Sequence, residues 1–122
     1  MSFDFPTPKE ISRANNINLA IYVPSTTKFD KPITSSQFKT RINQTVRFLN
    51  NAFKGTTRVR GIGSYNLGSK TISEKVAIVE TFARKVTYDK ADMKVKQFLI
   101  SKKRQWGQDS MGYEFEGSML FI

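Results

Sequence analysis

The chain has 122 residues, 39% of them hydrophobic, a net charge of +10, and neither cysteine nor histidine. That is the size of one ordinary domain with enough apolar material for a core. It excludes disulfides, Cys/His zinc sites, thiol nucleophiles and every triad that uses imidazole as its base.

Residues 1–17 are polar and Pro-bearing and read as an irregular N-terminal arm anchored by Phe3 and Phe5. They lack the layout of a signal peptide, and no apolar run approaches the ~20 residues that span a bilayer, so the expected compartment is a cytoplasm. One domain is expected over 18–122. Its first element is a strand over Asn18 to Val23, stopped by Pro24. Ser25 to Ile33 is a loop carrying Lys28 and Lys31. Phe38, Ile42, Val46, Leu49 and Phe53 then hold one helical stripe for over four turns, with Ser35 as N-cap and Gly55 as the stop.

Thr57 to Tyr65 alternates as a strand, Asn66 to Lys70 is turn-like, and Glu74 to Ala83 is the most strand-like segment, so the three predict a hairpin. A second helix, capped by Thr87 or Asp89, carries Ala91, Val95, Phe98, Leu99 and Trp106 on one face and ends at Gly107. Met111 to Ile122 closes the chain as a strand. The order β-α-β-β-α-β predicts a ferredoxin-like α+β fold: a four-stranded antiparallel sheet with two helices on one face. Apolar residues on both parities of the last strands leave a second apolar sheet face. Covering it requires at least a homodimer.

The charge is concentrated. Between Asp30 and Glu74 there are forty-three residues with eight basic and no acidic side chains, while the rest of the chain has twelve basic and ten acidic. Such a block predicts an anionic partner: a phosphate, a nucleotide or a polynucleotide; the alternative is a merely solvated basic surface. Arg58 and Arg60 at i,i+2 point the same way from a strand and form a candidate phosphate clamp, or a solvated edge pair. Phe82 and Arg84 repeat that spacing, an aromatic platform beside a cation; core packing explains Phe82 as well.

Three motifs are weak. Gly63 to Lys70 (GSYNLGSK) has the Lys and Ser of a phosphate loop transposed and no helix after it, so it reads as a turn. Arg60 to Tyr65 echoes an RNA-stacking strand, but on the second strand and not the third. With Tyr65, Phe82 and Tyr113 as stacking residues, it gives the alternative reading of a single-stranded RNA-binding module. Glu114 and Glu116 share a face if the last strand is regular, a conceivable carboxylate pair. A nucleotide-cleaving enzyme would have only Glu80 or Glu114 as a base. No metal site or cofactor is expected, and the chain reads as a binder and not an enzyme.

Five segments together carry a family resemblance: Ala20 to Thr26 (AIYVPST), Phe53-x-Gly55, Gly61-x-Gly63-x-Tyr65, Glu74 to Val79 (EKVAIV), and Gln108-x-Ser110-Met-Gly-Tyr113. The chain resembles the phage Thoeris anti-defence sponge proteins of the first type. The resemblance implies sequestration of cyclic ADP-ribose isomers without cleavage, in pockets between subunits, with cyclic oligonucleotides as further ligands of some members. It implies Phe82 as base platform. Ser25, Thr26, Lys28, Arg58, Arg60 and Arg84 would contact phosphate and ribose, Asp92 a ribose, and Arg104, Gln105 and Gln108 would close the site.

Overall fold

The computed structural model describes residues 17–122; the arm with Phe3 and Phe5 lies outside them. Strand β1, Ile17–Pro24, is central: Leu19, Ile21 and Val23 point into the helix-covered core, and Ala20 is buried on the opposite face. Pro24 has no N–H to continue the ladder. The following loop holds a two-residue ladder, β2 (Thr26–Thr27) with β3 (Lys31–Pro32).

Helix α1, Ser35–Phe53, buries Phe38, Arg41, Ile42, Thr45, Leu49 and Phe53. Its N-cap is Thr34, one residue before the expected Ser35. Thr34 Oγ1 accepts from the Gln37 backbone N–H while Gln37 Oε1 accepts from the Thr34 N–H, a reciprocal box that outcompetes a lone serine. The left-handed C-cap residue is Lys54, φ 68°, and not the expected Gly55.

Strands β4 (Thr57–Leu67) and β5 (Lys70–Ala83) form a long hairpin. Its turn is shorter than expected, because Gly68 at φ 64° reverses the chain at once. Strand β1 covers β5 only as far as Val76. Residues 61–75 of the hairpin therefore project past the sheet centre as an arm. Helix α2, Lys85–Gln105, begins four residues before Asp89: Arg84 is its N-cap, without a side-chain capping bond.

The expected single last strand is two, β6 (Gly112–Phe115) and β7 (Ser118–Phe121). Glu116 (φ 53°) and Gly117 (φ 80°) turn the chain between them. Asn18 N–H donates to the Glu116 carboxylate and Glu116 N–H donates to Asn18 O, which pins the turn to β1. The sheet is therefore five-stranded and antiparallel, in the order β4-β5-β1-β6-β7, where four strands were expected. Both helices pack on one face, around Leu19, Ile21, Val79, Leu49, Val95 and Leu99. The class is α+β. Among the described residues, no helix is long and apolar enough to cross a membrane.

Candidate functional site

Beside the projecting arm, on the open face of the sheet, lies a cavity of about 650 Å3. Its floor comes from β1, β4 and β5 (Tyr22, Gly61, Gly63, Val76, Ile78) and its far wall from residues 108–112 with Met119 and Phe121. Gly61 and Gly63 stand opposite Val76 and Glu74 in the ladder, and their missing side chains keep the floor low.

The cavity is acidic. Asp30, Glu74 and Asp109 line it and, among the described residues, no Lys or Arg does, in a chain of charge +10. Two acids are held in place. Thr26 Oγ1 donates to Glu74 Oε2 at 3.2 Å, and Tyr65 Oη donates to Asp30 Oδ2 at 3.4 Å. Asp30 reaches the cavity because Phe29 and Asp30 both take left-handed backbone, φ 61° and 55°. Two consecutive non-glycine residues there store strain that only the surrounding structure can hold. Partial burial and then Asp30 and Glu74 raise the Tyr65 phenol above its usual range. Tyr22 is raised by burial and then by Glu114 and Glu80. Both tyrosines are therefore protonated at neutral pH, donors with flat apolar rings.

The loop that presents these acids is fastened by Arg41. Its Nη1 donates to Pro24 O at 2.8 Å and Thr26 O at 2.7 Å, Nη2 donates to Trp106 O at 3.4 Å, and the guanidinium lies 5.3 Å from the Trp106 ring centre. Burial lowers its pKa. Gln108 Nε2 adds a bond to Thr26 O at 2.7 Å. A second cavity, about 400 Å3, adjoins the first on the helix side of the arm. It shares Asp30, Gly61 and Glu74 but adds Arg60, Lys75 and the start of α1.

The expected site residues do not assemble as one pocket. Arg58 pairs with Val79 in the ladder and Arg60 with Ala77, and both partners are buried under the helices. Directly opposed residues share a face, so the two arginines lie on the helix side. There Arg58 donates to Asn43 Oδ1 at 3.5 Å and Arg60 lies over Phe38. Phe82, one step out of that parity, is on the open face, half-exposed and outside both cavities. Arg84 is the exposed N-cap of α2.

Asp92 is spent on the fold: it accepts from Tyr88 Oη at 2.8 Å and pairs with Lys96 at 3.0 Å. Lys28 is exposed in the loop, Ser25 Oγ donates to Lys75 O, and Thr26 holds Glu74. Arg104 and Gln105 are exposed on the outer side of α2. Of the expected set, Gln108 lines the open-face cavity, Thr26 and Ser25 line the adjoining one, and Arg60 reaches it from below.

The RNA platform does not assemble either. Tyr113 is buried and pairs with Ile21 on the helix side. Tyr65 stands opposite Ile72, and Phe82 is ten residues further along β5, about 33 Å at strand rise. The Glu114/Glu116 pair is broken by the β6–β7 turn: Glu114 stays on the open face beside Ala20, while Glu116 is bound to Asn18. No group of three or more metal-ligating side chains occurs among the described residues.

No family model matches the chain, and no curated protein matches it. Two solved structures share its fold. One is a phage SAM lyase in complex with S-methyl-5'-thioadenosine: 13% identity, 89% of this chain and 90% of the other covered, TM-score 0.60. The other is a phage SAM lyase in the apo state: 14% identity, 88% and 89% covered, TM-score 0.59. The expectation of a binder that is not an enzyme is thereby corrected: the fold is one that an enzyme uses. The physical reason for the error is specific. Lacking His and Cys removes imidazole and thiol chemistry, but not a reaction whose substrate brings its own nucleophile and a leaving group needing no proton.

Proposed function

We propose that the chain is an enzyme that binds S-adenosylmethionine in the open-face cavity and cleaves it to S-methyl-5'-thioadenosine. The observation that carries this reading is the cavity's charge: three carboxylates and, among the described residues, no cation, in a strongly basic molecule. A carboxylate and a sulfonium about 4 Å apart attract by about 4 kcal/mol at an effective dielectric of ~20. Arg60 and Lys75 line the adjoining cavity on the helix side of the arm, basic residues further off are screened over about 8 Å at physiological salt, and the carboxylates on the near wall favour a cation. The phage SAM lyase of the same fold, in complex with S-methyl-5'-thioadenosine, adds the nucleoside. Tyr22 and Tyr65 offer rings for adenine, and Met111, Met119 and Phe121 an apolar wall for the methylthio group.

The bond that breaks is the one from sulfur to Cγ of the methionine part. Its electrons stay on sulfur, which leaves as a neutral thioether, so no acid is required. The substrate's own α-carboxylate can attack Cγ and close a lactone. The protein's tasks are then to orient the four-carbon chain and exclude water. Glu74, Asp30 and Gln108 are the groups placed to do so.

The same reading includes a ferredoxin-like core with β7 appended, a cytoplasmic setting, and at least a homodimer covering the exposed Val59, Phe82, Met119 and Phe121 of the open face. A second reading, binding of a cyclic ADP-ribose isomer, is favoured by the adjoining cavity, where Arg60 and Lys75 meet the N-terminus of α1.

The test is incubation of the purified protein with S-adenosylmethionine and, separately, with cyclic ADP-ribose isomers, followed by mass spectrometry before and after heat denaturation. S-methyl-5'-thioadenosine formed by the wild type and lost in Glu74→Gln supports the lyase reading. Recovery of untouched S-adenosylmethionine, unbound, overturns it, and an isomer released only on heating supports the second.

A further inference from the structure

We infer that the outer side of α2 is a docking surface for an anionic lipid bilayer, on which the protein lies with its open sheet face turned away from the membrane. Three large apolar side chains of this helix, Val86, Met93 and Ile100, are exposed, the first two at 66% and the third at 38%. They stand seven residues apart. Seven residues are close to two full turns, so the three form one line along the helix, about 21 Å long at 1.5 Å per residue. The helix buries Tyr88, Val95 and Leu99. Tyr88 follows Val86 by two positions and Val95 follows Met93 by two, about 200° round the axis. The apolar line is therefore on the far side of the helix from the core, and core packing does not account for it.

The line is bordered by cations. By helical position, Lys90 and Lys94 flank it on one side, Lys96 and Lys103 on the other, and Arg104 stands at its C-terminal end. Helix α2 carries seven basic residues and two acidic ones. Both acids are tied to lysines one turn away, Asp89 to Lys85 at 2.8 Å and Asp92 to Lys96 at 3.0 Å. An apolar line between rows of cations is the pattern of a helix that lies in the plane of a membrane interface. The aliphatic stems of the lysines let their ammonium groups reach headgroup phosphates while the apolar line enters between the headgroups.

Two other occupants fit less well. A nucleic acid would take the cations and leave the apolar line in water. A second copy packed through the same helix would set lysine rows against lysine rows, and like charges facing each other across an interface repel. The charge of the rest of the molecule favours the same orientation on a membrane. Asp30, Glu74 and Asp109 line the open-face cavity, and Glu80 and Glu114 flank Ala20 on that face of the sheet, opposite the helix layer. An anionic surface attracts α2 and repels the open face. The inference does not depend on the proposed lyase reaction, since none of the α2 side chains lines the open-face cavity.

The experiment is co-sedimentation of the full chain with vesicles of phosphatidylcholine alone and of phosphatidylcholine mixed equally with phosphatidylglycerol, with duplex DNA as a separate arm. The wild type should bind the mixed vesicles at least about tenfold more tightly than the neutral ones, and less tightly as salt is raised. Met93→Ser combined with Ile100→Ser should weaken that binding by about tenfold or more at an unchanged Tm. Lys90→Gln combined with Lys94→Gln should flatten its salt dependence. No preference for the anionic vesicles, or a preference that the serine pair leaves untouched, would overturn the assignment. So would a wild type that binds DNA but neither vesicle, which would give the cations to nucleic acid. An oligomer in lipid-free solution that the serine pair dissociates would give the apolar line to a second copy and overturn it as well.

Discussion

Asp30 and Glu74, the acids at either end of the acid-free stretch, line the same cavity. Each is held by a hydroxyl from another segment, Tyr65 for Asp30 and Thr26 for Glu74. Neutralising either should weaken a cationic ligand most. Glu74→Gln and Asp30→Asn should each lower affinity for S-adenosylmethionine by roughly 10- to 100-fold, the value of about 1.5–3 kcal/mol for a charged hydrogen bond. Affinity for the uncharged S-methyl-5'-thioadenosine should change much less. Equal losses for both ligands, measured by titration, would count against an electrostatic role.

Arg41 carries its charge into the interior with no carboxylate bonded to it among the described residues. Three backbone carbonyls, Pro24 O, Thr26 O and Trp106 O, take its donors. Arg41→Met keeps the volume and leaves Pro24 O without that donor. We expect a loss of about 2–4 kcal/mol in denaturant unfolding and a looser loop before α1. A loss below about 1 kcal/mol would mean that Gln108 alone suffices to hold Thr26.

Phe82→Ala is expected to leave ligand affinity in the cavity within about twofold of wild type, because the ring stands outside both cavities on the opposite sheet face from Arg58 and Arg60. A drop of tenfold or more in titration would return Phe82 to the site.

Gly107 adopts φ 65°, and a Cβ there would lie 2.8 Å from Thr27 Oγ1 and 3.2 Å from Lys28 N. Gly107→Ala should therefore cost about 1–3 kcal/mol through strained backbone and displaced loop, read as a lower Tm. The neighbouring Gln108 bond to Thr26 should suffer with it, so affinity should fall in the same variant.

The Asp92–Lys96 pair gives a pH signature. Bonds from Lys96 and then Tyr88 hold the Asp92 carboxyl below its usual value. A depressed carboxyl contributes stability above its unfolded pKa of about 3.9 and loses it as pH falls through the folded value. Lys96 is raised by the same bond, and its share is present below the usual lysine value and lost as pH rises through the folded one. Wild type and Asp92→Asn should therefore differ in stability at neutral pH and converge as pH falls below the depressed Asp92 value. Both side chains are more than a third exposed, so the difference is small. A constant offset across the titration would rule out the ionised pair as its source.

Much of the scaffold was legible along the chain. The stripe from Phe38 to Phe53 marked α1, an apolar run stopped by Pro24 marked β1, alternation marked β4, strand-favouring composition marked β5, and the missing His and Cys restricted the chemistry. These are local properties: periodicity and residue type act over a few positions. The split of the last strand was not legible, because Glu116 turns left-handed only with Asn18 beside it. Nor were the site residues. The basic side chains crowd one stretch of sequence, yet pairing sends Arg58 and Arg60 to one face and leaves Phe82 on the other. Two of the cavity's acids, Asp30 and Glu74, are separated by that whole stretch, and the hairpin ladder and the Arg41-bound loop bring them together. Charge along a chain is set by composition; charge facing a cavity is set by strand register and by which loop each carboxylate ends on.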